Sequence, residues 1–237
     1  MLKIMNFSKS YDGKKKACDN INLEIEAGDI YGFIGHNGAG KTTLLKSIAG
    51  IIDFEDGVIQ VGNYSIQKDP LEVKKIIAYI PDNPDIYQSL TGIQYLDFIA
   101  DVFEVDENTR QIRIEKYAKM FEMEDVLSNP ISSYSHGMKQ KTVIMSALIH
   151  EPKVFLLDEP FVGLDPKASH LLKEVFKEMC SKGTAIFFST HVLEVVEKLC
   201  NKVAIIKQGK IVASGNTDKI IKDQSLEEIF LEITNEA

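Results

Sequence analysis

Apolar and polar positions partly alternate through "LKIMNFSKSY" and "ACDNINLEIEAG", with "DGK" as a turn between them, which predicts two short strands at the start of the chain. "DIYGFIG" is a mostly apolar strand ending in glycine. A loop and a helix over about Lys41–Ala49 follow it, and Gly50 can end that helix. "DGVIQVGNYSI" and "IIAYIPD" read as further strands. From about Pro84 to His150 the apolar residues take helical spacing, in "TGIQYLDFIADVFEV", "NTRQIRIEKYAKMFEM" and "GMKQKTVIMSALIHEP". Buried strands then resume in "KVFLLDEP", "GTAIFFSTH" and "KVAIIKQG", with the helix "PKASHLLKEVFKEMCSKG" between the first two. The end of the chain, about 217–237, carries a short helical tail, "SLEEIFLEIT". This alternation predicts an α/β domain: a mainly parallel sheet covered by helices, an N-terminal antiparallel β region, and the middle helices, about 84–150, as an insertion.

At 237 residues, with 44% hydrophobic residues, the chain is long enough for one large domain with a full core. Cys18, Cys180 and Cys200 are odd in number and lack a CxxC pair, so they signal neither a disulfide framework nor a zinc site. A reducing compartment fits them. No apolar run approaches the length of a spanning helix, and the start lacks a signal-peptide core, so the expectation is a chain that does not itself cross a membrane. A formal net charge of -8 argues against a broad nucleic-acid footprint. A bound nucleotide is compatible with it, because screening over roughly 8 Å leaves backbone donors at contact distance dominant. Lys14 to Lys16, beside Gly13, read as a solvated turn.

The chemistry concentrates in "GHNGAGKTT": Gly35, His36, Asn37, Gly38, Ala39, Gly40, Lys41, Thr42 and Thr43 match the phosphate-loop pattern GxxxxGK[ST], with a strand before it and a helix after. Glycines let the backbone turn its N–H groups toward phosphate, the helix N-terminus adds positive potential, Lys41 reaches the outer phosphates, and Thr42 can ligate magnesium. "VFLLDEP" sets Asp158 and Glu159 at the end of a buried strand. Beside a phosphate loop, Asp158 can serve magnesium and Glu159 can activate the attacking water; without one, the pair is a polar strand end. "IFFSTH" ends on His191, placed either to touch the outer phosphate and water or simply to start a helix.

These pieces, in this order and over essentially the whole length, resemble the ATP-binding cassette family, specifically the nucleotide-binding subunit of an ABC transporter. The resemblance implies a P-loop NTPase core, with ATP and Mg2+ as ligands. It also implies adenine stacking at Tyr11, a magnesium-associated Asp158, a catalytic Glu159 aided by Lys41, a switch His191, and communication between two cassettes through Asp165 of "GLDP". Two departures stand out. The family usually carries glutamine after the "YIP" strand, where this chain has Asp82, either still able to ligate magnesium while adding negative charge or simply a turn residue of "PDNP". The usual LSGGQ signature is "YSHGM" here, retaining Ser135 and Gly137 and replacing glycine with His136 and glutamine with Met138.

In the family, that signature presents its helix N-terminus to the ATP of a second cassette; Ser135 is also an ordinary helix cap. The resemblance therefore implies a partner cassette and an integral membrane permease, with the chain peripheral on the cytoplasmic face of the membrane. The segment around Asp82 to Tyr87 and the inserted helices would dock the permease. The SxGMKQ form resembles that of exporter-type subunits. The alternative is a non-transport cassette that uses ATP to regulate a cytosolic partner.

Overall fold

The computed structural model describes residues 1–83, 86–222 and 224–235, without the side chains of 234 and 235. The starts of the expected helical insertion and part of the Asp82–Tyr87 docking segment, at 84 and 85, lie outside the described residues, as do 223, 236 and 237 of the tail. The chain divides into two compact units. The first comprises Met1–Tyr79, Lys153–Pro160 and Phe176–Ala237, and the second Ile80–Pro152 and Phe161–Val175.

In the first unit, β1 (Leu2–Ser10), β2 (Lys16–Ile25), β4 (Asp56–Val61) and β5 (Tyr64–Ser65) form an antiparallel sheet in the order β2-β1-β4-β5. A second sheet runs β10-β9-β3-β8-β7-β6. Its members are β3 (Ile30–Ile34), β6 (Ile77–Ile80), β7 (Val154–Asp158), β8 (Ala185–Thr190), β9 (Lys202–Lys207) and β10 (Lys210–Asn216). Strands β7, β8, β3 and β9 are mutually parallel, and β10 returns antiparallel to β9. The near-continuous apolar runs of β3, β7 and β8 follow from this: each of these strands is covered on both faces.

One face of the parallel sheet, with Tyr31, Phe33, Val154, Leu156 and Phe187, joins Leu2, Ile4, Phe7, Ile21 and Ile25 of the antiparallel sheet in one core. The buried face of α1 (Lys41–Ile48), through Leu44, Leu45 and Ile48, completes that core. On the other face Phe155 meets Phe176 of α6 (Pro166–Ser181) edge to face at 6.0 Å. Gly32 there lies beneath α7 (Leu193–Leu199): a Cβ at Gly32 would come 2.7 Å from Val196 Cγ1.

The second unit packs α3 (Gly92–Val102), α4 (Glu107–Phe121) and α5 (His136–Ile149) around Leu96, Ile114, Phe121, Ile144 and Met145. Thr91 and Gln94 form a reciprocal capping box on α3, and Asp106 caps α4. Elements without a counterpart in the sequence pattern are α2 (Pro70–Ile76), α7 and β10, while α8 (Thr217–Ile221) falls at the start of the expected tail. The tail helix is α9 (Leu226–Asn235).

Candidate functional site

Strand β3 stops at Ile34, and α1 starts at Lys41, so Gly35 to Gly40 form the intervening loop and Lys41 to Thr43 the first turn of the helix. Gly40 occupies the N-cap with φ 112°, and no side chain caps the helix, leaving its first N–H groups to the loop. A side chain at Gly40 would collide with the Ala17 carbonyl oxygen, and one at Gly35 would lie 2.5 Å from that of Ile206. Close approach of neighbouring backbone, together with the left-handed turn, therefore requires glycine at Gly40. Lys41 is buried, and its ammonium donates to the carbonyl oxygens of Gly35 (2.6 Å) and His36 (3.3 Å). Burial pushes its pKa down, while Glu159 and Asp158 act in the opposite sense.

Register brings the carboxylates to the same place. Asp158, the last residue of β7, is paired with Ser189 of β8, and Thr190 is paired with Ile34 at the end of β3. The ends of three parallel strands thus converge where an open α/β sheet offers a crevice to ligands. Thr42 Oγ1 donates to Asp158 Oδ2 at 2.6 Å, and Ser189 Oγ donates to the other oxygen, Oδ1. Glu159 follows with φ 51°, its N–H donating to the Ser189 carbonyl (3.1 Å) and hydroxyl (3.3 Å) oxygens. The left-handed turn directs its carboxylate to His191, whose Nδ1 lies 3.0 Å from Glu159 Oε2. His191 is not in the helix that follows; α7 begins at Leu193.

Beside the loop is an open cavity of about 650 Å³ lined by Tyr11, Lys15, Lys16, His36, Asn37, Gly38, Lys207 and Gln208, among others. Tyr11 is 67% exposed at its rim, with its hydroxyl 3.3 Å from Thr43 Oγ1 and Lys9 Nζ 5.8 Å from its ring centroid. An exposed aromatic ring bordering such a cavity is suited to stacking on a planar ligand. Lys15 and Lys16, read from the sequence as a solvated turn, face this cavity as well.

In the second unit Ser135 is the N-cap of α5, its hydroxyl accepting from Met138 N at 3.3 Å. The His136 ring lies over Gly163, where a Cβ would come 2.5 Å from its Cδ2, and a Cβ on Gly137 would come 2.8 Å from the Gly163 carbonyl oxygen. Lys141 Nζ pairs with Asp165 Oδ2 at 2.9 Å, and Asp165 caps α6 by accepting from Ala168 N at 2.8 Å. The backbone bond from Ala168, then Lys141, hold the Asp165 carboxyl below its ordinary pKa. Asp82 is exposed, also in the second unit, and accepts from Asn83 N at 2.9 Å.

A glycine loop closing a parallel strand, a lysine lodged in it and a hydroxyl–carboxylate pair beside it define a phosphate-loop nucleotide-binding fold. Residues 18–162 match the family model described as ABC transporter. The ABC transporter ATP-binding protein NatA of Bacillus subtilis (strain 168) is 32% identical over 233 residues, covering 97% of this chain and 95% of the relative. A solved ATP-binding subunit of an ABC transporter has a TM-score of 0.95 at 33% identity, covering 99% of both chains. The cassette MJ0796, solved as a dimer in a post-hydrolysis state with ADP and Pi, shares the fold with a TM-score of 0.83 at 23% identity, over 92% of this chain and 99% of that one. The chain belongs to the ABC transporter family as an ATP-binding cassette.

Ser189 was not legible as a site residue. Its signal was its place two residues before His191 on a strand, at the register of Asp158. Nothing local marked Lys207 and Gln208, which reach the cavity from a distant turn.

Proposed function

We propose that this cassette hydrolyses ATP as one half of a head-to-tail pair and that hydrolysis drives a separate membrane permease, in the export direction. The observation that carries the catalytic part is the connected set Thr42, Asp158, Ser189, Glu159 and His191 beside Lys41. Thr42 and Asp158 present hard oxygen donors side by side, the donor type magnesium takes beside substrate phosphates. Magnesium, when bound, supplies charge neutralisation on the outer phosphates. Lys41 exchanges its loop carbonyls for phosphate oxygens. Glu159 orients the attacking water and accepts its proton, and His191 holds the Glu159 carboxylate and faces the outer phosphate. Tyr11 carries the adenine.

In this reading Ser135 and the N–H groups around Gly137 and Met138 complete the site of the partner cassette, with Asp165 beside them. Ser135 and His136 are exposed at the N-terminus of α5, where the helix end favours negative charge, which supports this reading. The MJ0796 dimer with ADP and Pi supports the pairing. No helix among the described residues is long and apolar enough to cross a membrane. In this reading the permease is a separate chain, and the cassette lies against it on the cytoplasmic face. Copurification with a polytopic membrane protein is the test. Copurification with ribosomes instead would favour the regulatory alternative.

A further inference from the structure

The cavity beside the phosphate loop is bounded by a helix outside every motif. The Phe230 ring of α9 lies against the His36 ring with centroids 4.9 Å apart and planes tilted by 57°. One turn further, the Ile233 carbonyl accepts from Lys207 Nζ at 2.9 Å. His36 and Lys207 both line the cavity, and α9 lies beyond residues 18–162, the stretch that matches the family model.

Helix α9 is built to stay there. Ser225 and Glu228 cap it reciprocally: Ser225 N donates to Glu228 Oε2 at 2.8 Å, and Glu228 N to Ser225 Oγ at 3.2 Å. Leu226 is fully buried, and its N–H donates to Glu197 Oε2 of α7 at 3.3 Å. Both contacts with the cavity then act on the loop itself. His36 O accepts from Ala39 N (3.1 Å) and Lys41 Nζ (3.3 Å), the bonds that keep the loop turned and the lysine lodged. Lys207 precedes the Gln208–Gly209 turn, and Gly209 N donates to Ala39 O at 3.0 Å. Holding His36 and Lys207 thus holds the loop from its two sides.

We propose that α9 is a strap on the nucleotide site, with Phe230 as a positioning residue that sets ATP affinity by pre-organising the loop through His36. This rests on the ATP-binding reading above and deepens it. Ordering the loop before ligand arrives removes part of the cost of binding, so the effect falls on affinity more than on the chemical step.

The test is ATP and ADP binding, with magnesium, to the full chain and to Phe230→Ala, Phe230→Trp and the exposed-face control Glu227→Gln, together with KM and kcat. Phe230→Ala is expected to weaken binding about three- to tenfold, the range of one aromatic contact, and to raise KM while kcat stays within about twofold. Phe230→Trp, which keeps a ring, is expected within about twofold of the parent in affinity, its emission changing when nucleotide is added. Equal affinity in Phe230→Ala, or equal weakening in Phe230→Trp and Phe230→Ala, overturns the strap. Failure of the parent chain to bind ATP overturns the nucleotide reading instead.

Discussion

Thr42 Oγ1 donates to Asp158 Oδ2 at 2.6 Å, linking the first turn of α1 to the end of β7 across residues far apart in the chain. The bond orients two oxygen donors before any ligand arrives. Asp158→Asn preserves the shape and can still accept from Thr42, but removes the charge that holds a divalent cation. It is expected to leave folding intact and to cut ATP hydrolysis about a hundredfold or more, as removal of a transition-state electrostatic partner does. A magnesium titration of the ATPase rate checks it; a rate near that of the parent at ordinary magnesium would remove Asp158 from the metal site.

Ser189 satisfies the other oxygen of a nearly fully buried carboxylate and accepts from the Glu159 N–H. Ser189→Ala leaves both without that partner. The expected cost is about 1–3 kcal/mol of unfolding free energy, measured by urea denaturation, with a fall in turnover because Glu159 loses part of its seat.

Burial holds the Lys41 ammonium below its ordinary pKa of 10.5. With the folded value the lower one, the unfolded chain binds more protons between that value and 10.5. This contribution to stability is fully present above 10.5 and is lost as pH falls through the lowered value. Phosphate beside Lys41 favours the charged form, so nucleotide binding in the same window takes up a proton and weakens as pH rises. Calorimetry in two buffers of different ionisation enthalpy measures the uptake, and Lys41→Met is expected to abolish it.

Much of the fold was legible because its strands are buried on both faces and announce themselves as apolar runs. The phosphate loop was legible because its function demands glycines at fixed spacing. Helix α2 was not, since seven residues opened by Pro70 carry little periodicity. Strand β10 alternates between half-buried and exposed, a pattern with no apolar run. The contacts of His136 with Gly163 and of Phe230 with His36 join residues whose local sequence says nothing of each other. His136 replaces a small glycine with a ring, and the structure gives that ring a place against Gly163.

Ser135 caps α5, and in the proposed pair it also meets the partner's ATP. Ser135→Ala is expected to cost about 1 kcal/mol of stability and to weaken ATP-dependent pairing while leaving ATP binding to the monomer within about twofold. Loss of monomer binding would reduce Ser135 to a cap.

The central claim is hydrolysis at a site completed by a second cassette, with Glu159 as the base. Sedimentation of Glu159→Gln in ATP and in ADP, each with magnesium, tests it most directly. A species of twice the 26.6 kDa chain mass in ATP and a monomer in ADP is the predicted result. A monomer under both conditions, with hydrolysis at the parent rate, would contradict it.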